Sequence, residues 1–454
     1  MIHHGDLFDV LPTLEAESVD ACVTDPPYGI GFMGKEWDSF LPSKAAKKAG
    51  LRQYGNLPRW KESNPNLKGR KVNGAISASQ IEYDRTLAGQ VAFQEWTGRW
   101  ASEVLRVLKP GAHLIVCGAP RSFHRMACGL EDAGFEIRDC LSWLYGQGFP
   151  KSLNLGDGVG TALKPSWEPC VLARKPFKGS IASMLKRFGT GGLNIDVCRI
   201  EGVKQDMRAI PKATDPSIFK TSSATGTGLM SDIGRWPANV ILDEEAAAML
   251  DEMTGELTSG DYSGERSSDK TRHVFGTFAG TGPRVEGGHL GDRGGASRFY
   301  YVAKPSREER DFGIFDLAQQ SGGDATDRTD GSAGLNSPRA GAGRTGGARN
   351  IHPTVKPVEL MRWLVKLITP VGGTVLDPFM GSGTTGMACR YELREFIGIE
   401  REAEYVAIAE RRIAAVAPLF ETGLSNGDAV DPALSARGTD ARARAQSDLE
   451  FPDV

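Results

Sequence analysis

Apolar residues in this chain gather into short, regularly spaced segments near each end, separated by a long polar, glycine-rich middle. Residues 18–24 form an apolar-rich run that predicts a strand ending at Asp25. Over 91–108, Phe93, Trp96, Trp100, Val104 and Leu108 recur at helical spacing, which predicts an amphipathic helix stopped by Lys109-Pro110-Gly111. A strand over 113–117, a helix over 120–133 and strands over 135–144 and 167–173 continue what reads as an alternating βα pattern. Regularity then fades, leaving two ordered-looking pieces at 234–241 and 297–304, and the Gly-, Ser-, Asp- and Arg-rich stretch 319–350 reads as a mobile loop. It returns after His352, with a helix over 358–368, a strand over 374–376, a glycine loop, a helix over 384–392, a strand over 396–399 and a helix ending near Ala415. No internal repeat is visible.

At 454 residues the chain exceeds what one hydrophobic core usually serves, so a large α/β domain with a substantial insertion is expected. Hydrophobic content of 40% against 24% charged residues is that of an ordinary globular protein, and no apolar run approaches the length of a membrane span. The first residues lack the basic and apolar regions of a signal peptide, which reads as a cytoplasmic protein. Seven cysteines are scattered without any Cys-x-x-Cys pair, so they read as free buried thiols, with neither zinc spacing nor a disulfide framework.

The net charge of −3 hides two local imbalances. Residues 41–90 carry ten Lys/Arg against three acids, a plausible phosphate-contacting segment, whereas 418–454 carries seven acids against three arginines and reads as a disordered tail.

Two short motifs bear the chemistry. Asp25-Pro26-Pro27-Tyr28-Gly29 follows the first predicted strand, at the carboxyl end where open α/β sheets bind ligands. Asp377-Pro378-Phe379-Met380-Gly381-Ser382-Gly383-Thr384-Thr385 joins a strand to a helix, and its glycines let backbone turn tightly and approach a ligand. Glu400 ends the next strand, where an acid can accept from both hydroxyls of a ribose. The third glycine of a dinucleotide fingerprint is missing, which favours S-adenosylmethionine over a nicotinamide cofactor.

The first motif resembles the Asp-Pro-Pro-Tyr of methyltransferases acting on exocyclic amino groups of DNA bases, and the second resembles their Phe-x-Gly-x-Gly cofactor loop. With the catalytic motif first, the chain resembles the circularly permuted beta class. The resemblance implies an α/β, Rossmann-like methyltransferase sheet with an inserted, irregular target-recognition region. Residues 1–175 would form the catalytic half, 176–349 the recognition region and 350–417 the cofactor-binding half.

It implies catalytic roles for Asp25, Pro26, Pro27 and Tyr28, with Tyr28 offering a face to an extruded base. It implies S-adenosylmethionine contacts from Asp377, Phe379, Gly381, Ser382, Gly383, Thr384 and Glu400. It also places Asp6 near the adenine amino group, and Thr354 and Lys356 near the methionine carboxylate; a helix cap before Leu7 is the structural alternative for Asp6. Candidate DNA contacts are Lys44, Lys47, Lys48, Arg52, Lys68, Arg70 and Lys71 in the basic segment, with Lys175, Lys178 and Arg235 beyond it. No metal site is expected. Pro169-Cys170 imitates the nucleophile of cytosine-C5 enzymes, but it lies inside a predicted strand with no Glu-Asn-Val partner, and reads as core.

An aspartate at the head of the first motif is more typical of adenine-N6 enzymes. Transfer to cytosine N4 is the nearest alternative, and a catalytically silent DNA-binding protein on the same fold is the alternative of another class. Double-stranded DNA is the expected partner, with a homodimer and a cognate restriction endonuclease as further expectations.

Overall fold

A computed structural model describes residues 1–29, 87–146, 154–200, 234–258, 293–303, 307–319 and 349–416. The candidate DNA contacts from Lys44 to Lys71, most of the 319–350 loop and the 418–454 tail lie outside the described residues.

Among the described strands, four short ones form two separate two-stranded pairs and nine assemble one sheet. In chain order they are β1 (Ile2–His4), β2 (Val19–Thr24), β3 (Leu108–Cys117), β4 (Glu136–Leu144), β5 (Trp167–Arg174), β6 (Val240–Asp243), β7 (Tyr301–Ala303), β8 (Thr374–Asp377) and β9 (Glu395–Glu400). Their spatial order is β1-β9-β8-β2-β3-β5-β4-β6-β7. Only β5 runs against its neighbours, pairing antiparallel with both β3 and β4. The expected βα alternation therefore fails at β5, which reverses direction with no helix between it and β4 among the described residues.

The helices are α1 (Leu7–Val10), α2 (Leu87–Val107), α3 (Phe123–Asp132), α4 (Ile181–Phe188), α5 (Glu244–Thr254), α6 (Arg307–Asp311), α7 (Val358–Ile368), α8 (Thr384–Tyr391) and α9 (Ala403–Ala415). Both faces of the sheet are covered, which is why its strands read as unbroken apolar runs. Ala21, Val23, Ile115, Cys117, Cys170 and Leu172 face α7, where Leu360, Trp363 and Leu364 are buried. Their neighbours Cys22, Leu114, Val116 and Val171 belong to the core on the other face, with Phe93, Trp100 and Val104 of α2 and Met126 and Leu130 of α3. Strand period two thus sorts one run of sequence onto two cores, each large side chain contributing roughly 1.5–3 kcal/mol on burial.

Two expectations need correction. Leu108 leaves the helical stripe and opens β3; the helix does stop before Lys109-Pro110-Gly111, but these residues lie within an irregular, bulged stretch of that strand. The pairing shifts between Val19↔Leu108 and Ala21↔His113, Gly111 adopts φ +76°, and Lys109 Nζ donates to Asp20 Oδ1 at 2.6 Å. The middle region, in turn, does not stand wholly apart: β6 pairs with β4 and β7 with β6, both parallel, so it lends two strands to the catalytic sheet.

Helices α2 and α3 cross closely at Gly129, where an added Cβ would lie 2.6 Å from the Gln94 carbonyl and 2.8 Å from Thr97 Cβ. Gly129→Ala is expected to lower stability by about 1–3 kcal/mol in urea unfolding, overpacking outweighing the helix propensity gained. A variant as stable as the parent would contradict this crossing.

Candidate active site

Strands β8 and β2 are parallel neighbours, yet β8 leads through α8 to β9 on one side while β2 leads through α2 to β3 on the other. A crevice opens at the carboxyl ends of two strands that diverge in this way. The glycine loop follows β8 and the Asp-Pro-Pro-Tyr segment follows β2, so the two motifs meet there despite lying at opposite ends of the chain.

The glycine loop is pinned to β9: Met380 N donates to Ile399 O at 3.0 Å and Gly381 N to Glu400 Oε2 at 2.9 Å. Gly381 adopts φ +52°, and a Cβ there would lie 2.7 Å from His352 Nε2. From below, fully buried Arg412 donates to Ser382 O at 2.6 Å, Ser382 Oγ at 3.1 Å and Thr384 Oγ1 at 3.2 Å. Burial pushes the guanidinium pKa down to about 10, so these acceptors hold a desolvated cation in place.

A cavity of about 180 Å³ lies above the loop, lined by Asp6, Phe8, Asp25, Pro26, Pro27, Trp96, His352, Thr354, Phe379, Gly381, Glu400 and Tyr405 among others. Asp6, Thr354, Phe379, Gly381 and Glu400, all candidates for cofactor contact, thus line one cavity. Asp6 also caps α1, accepting from Phe8 N at 2.9 Å, so the cap and a place in the cavity lining are compatible. Strand β1 pairs with β9 through His4↔Glu400, which brings Asp6 beside Glu400 across the whole length of the chain.

Asp377, Ser382, Gly383 and Thr384 do not line the cavity. Asp377 is buried and accepts from Thr24 Oγ1 at 2.7 Å, Thr385 Oγ1 at 2.6 Å and Phe379 N at 3.1 Å. Ser382 and Thr384 turn to Arg412, and Gly383, at φ +82°, packs against Ala409. These four brace the loop from beneath, because a tight turn presents only part of its backbone to a ligand.

The catalytic motif is anchored with equal care. Ser122 Oγ donates to Tyr28 O at 2.5 Å. Tyr28 Oη lies 2.6 Å from Asp25 Oδ1 and 2.9 Å from Glu168 Oε1, and Lys356 Nζ donates to Asp25 Oδ2 at 2.7 Å and Tyr28 Oη at 2.9 Å. Lys356 Nζ is also 3.0 Å from Glu168 Oε1. Lys356 therefore grips the Asp25 carboxylate and, unlike Thr354, is absent from the lining of the cavity. Thr354 and Lys356 differ because the extended segment before α7 sends them in different directions.

Burial alone would lower Lys356, but Asp25 and Glu168 together hold its pKa well above the ordinary value. Burial, then the Asp25 and Glu168 charges, push Tyr28 well up, and burial raises Glu168. Cys117 sits at the same floor, with Sγ 3.4 Å from Cys170 Sγ; that contact and burial raise its pKa and keep the thiol neutral. Cys170 is fully buried, as its reading as core requires.

The described DNA candidates do not converge on this site. Because β5 is antiparallel, Glu168 lies at the catalytic end of the sheet and Arg174, paired with His113, at the opposite end. Lys175 and Lys178 follow Arg174, away from Asp25. Lys175 is further tied down, donating to Leu108 O at 2.7 Å and lying 3.7 Å from Glu17. Arg235 precedes β6, donates to Arg298 O at 3.0 Å and lies over the Phe299 ring.

Residue-by-residue reading overlooked Glu168, Arg412, His352, Tyr405 and Trp96. Trp96 had a signal that pointed to core, its place in the α2 stripe, while Glu168 and His352 lie in segments 167–172 and 352–357, which carry the resemblance without assigning either residue a role. Glu168 and Arg412 reach the site through strand reversal and helix docking, neither of which has a local signature.

A family model described as DNA methylase matches residues 19–411, and the chain belongs to that family. Among its relatives is the type II methyltransferase M.HindIII of Haemophilus influenzae, 22% identical over 91% of this chain and 94% of the relative. The type II methyltransferase M2.DpnII of Streptococcus pneumoniae is 47% identical over 64 residues, 14% of this chain and 24% of its own. Among solved structures, the cytosine-N4-specific PvuII DNA methyltransferase aligns over 98% of this chain and 91% of its own at 14% identity and a TM-score of 0.41.

His352 closes the cavity against Tyr405, with ring centroids 4.7 Å apart, and burial lowers its pKa to about 4. Between the ordinary value of 6.5 and about 4, the unfolded chain binds a proton at this position that the folded chain does not. Stability contributed here is complete above 6.5 and lost as pH falls toward 4. His113, also lowered to about 4 by burial, acts in the same window. His352→Asn is expected to flatten the fall by up to about 3 kcal/mol relative to the parent, as read from urea midpoints across this range. An unchanged slope would show that His352 titrates normally.

Proposed function

We propose that this DNA methylase transfers a methyl group from S-adenosylmethionine to N6 of adenine in double-stranded DNA. The observation that carries the reading is that Asp25, Pro26 and Pro27 line the same cavity as Asp6, Gly381 and Glu400. A carboxylate, two prolines and a nucleoside-sized, partly aromatic pocket share one space.

The residues present fit the cofactor. Glu400 is placed to accept from ribose hydroxyls, Asp6 from an adenine amino group, and Thr354 to meet the carboxylate end, while Phe8, Phe379 and Tyr405 supply apolar walls. Gly381 leaves no room for a side chain, keeping backbone close to the ligand. When bound, the cofactor supplies an electrophilic methyl group on a sulfonium.

The acceptor sets the harder problem. The lone pair of an exocyclic amine is delocalised into the ring, so acceptors aimed at its hydrogens must favour the pyramidal form and the positive charge that grows on nitrogen. Asp25 offers a carboxylate and Pro26 a carbonyl whose direction the two prolines fix. The Tyr28 ring stacks the extruded base, worth roughly 1–3 kcal/mol, comparable to the few kcal/mol that extrusion costs. The aspartate heading the motif supports adenine over cytosine. Retention of Asp25, Tyr28, Gly381 and Glu400 together argues against a silent binder. A homodimer, a restriction partner and a cytoplasmic location complete the reading; among the described residues, no helix is long and apolar enough to cross a membrane.

Incubation with methyl-labelled S-adenosylmethionine and unmethylated DNA, followed by nucleoside digestion and mass spectrometry, should yield N6-methyladenine. N4-methylcytosine would overturn the target base alone, and no labelled nucleoside would favour the silent binder. Asp25→Ala is expected to reduce turnover at least about 1,000-fold while cofactor and DNA still bind. Turnover near the parent rate would remove Asp25 from the mechanism.

A further inference from the structure

The catalytic cluster contains one charge more than amine recognition requires. Asp25 carries the acceptor carboxylate, but Lys356 donates to it at 2.7 Å, and an ammonium so close cancels most of the field that Asp25 would present to a nitrogen turning positive. An isolated Asp25–Lys356 pair would be neutral, a poor counterpart for a developing cation. Glu168 changes that balance. Its carboxylate lies 3.0 Å from Lys356 Nζ and 2.9 Å from Tyr28 Oη, and it does not line the cavity. Cys117, the other potential charge on this floor, is held neutral by Cys170 and burial. With Tyr28 neutral, the sum over Asp25, Glu168 and Lys356 is one negative charge.

Resting on the methyltransferase reading above, we propose that Glu168 is the charge-setting positioning residue of the active site: by offsetting Lys356 it leaves Asp25 facing the target amine with an uncompensated negative charge. Lys356 then has a structural task. Two carboxylates bonded to one tyrosine hydroxyl would repel each other in a desolvated site, and the ammonium between them lets both stay ionised. Tyr28, held by both carboxylates and by Lys356, fixes its ring in register with the base it stacks. Glu168 never touches substrate in this scheme. It acts through Lys356 and Tyr28.

The scheme predicts an unusual rescue. Glu168→Gln preserves shape, mimics the protonated acid and leaves a neutral cluster, so single-turnover methyl transfer should slow about 100-fold, with affinities for S-adenosylmethionine and duplex DNA little changed. Adding Lys356→Met returns the cluster to one negative charge, carried by Asp25 alone. The double variant Glu168→Gln/Lys356→Met should therefore be about tenfold faster than Glu168→Gln. If Glu168 merely held Lys356 in place, deleting Lys356 as well would bring no recovery. A double variant no faster than Glu168→Gln, or Glu168→Gln at the parent rate, overturns the proposal.

Should Glu168→Gln fail to fold, Glu168→Asp carries the test. It keeps the charge but shortens the reach, and transfer should stay within about tenfold of the parent; a larger loss in a folded variant would assign Glu168 to geometry alone. The parent protein is run in the same rapid-quench assay. A parent that methylates no DNA overturns the function and this proposal together, whereas an active parent with a fast Glu168→Gln removes this proposal alone.

Discussion

Asp377 is the joint on which the active site turns. It ends β8, is almost fully buried, and accepts from Thr24 at the end of β2 and from Thr385 at the start of α8. The strand carrying the catalytic motif, the strand carrying the glycine loop and the helix beneath that loop therefore share one carboxyl group. Burial raises its pKa to about 6, opposed by bonds from Thr385, Thr24 and Phe379 N. A buried acid in this position would be costly without those donors, and with all three it fixes one relative placement of the two motifs. Chemistry that needs donor and acceptor in line tolerates little slack between them, so an atom distant from the reacting ones governs the site.

The same economy explains why chain order matters so little. Catalytic and cofactor strands are neighbours in the sheet although more than three hundred residues separate them in sequence, and β1 lies beside β9 across nearly the full chain. Parallel pairing needs only that the strands end at one edge. Once β8 and β2 diverge from a shared centre, the crevice exists, whichever was made first.

This also marks what could be read locally. Segment 18–25, the α2 stripe, the glycine loop and Glu400 each announce themselves within a dozen residues, because periodicity and turn chemistry act over that range. The boundary at Leu108 slipped because a Lys-Pro-Gly stop and a bulge use the same residues. Lys175 and Lys178 were legible as basic but not as distant from the site, since their side of the sheet depends on the direction of β5, which an eight-residue apolar run does not encode. Asp377, Ser382 and Thr384 have bonds that were not legible in the motif: their acid and hydroxyls turn inward and brace the loop.

The reversal of β5 has a chemical consequence as well as a topological one. A parallel strand in its place would bring its own carboxyl end, Ala173 and Arg174, to the catalytic edge. Running the other way, it delivers Trp167 and Glu168 there, and with them a second carboxylate beside Lys356. On the proposed reading, in which Asp25 stabilises growing positive charge, an unbalanced ammonium at 2.7 Å would oppose that role, and Asp25 without that ammonium would stand close to another buried acid. Neither carboxylate is well placed alone, and neither is Lys356. The three charges make sense only as a set, and the antiparallel strand is what completes it.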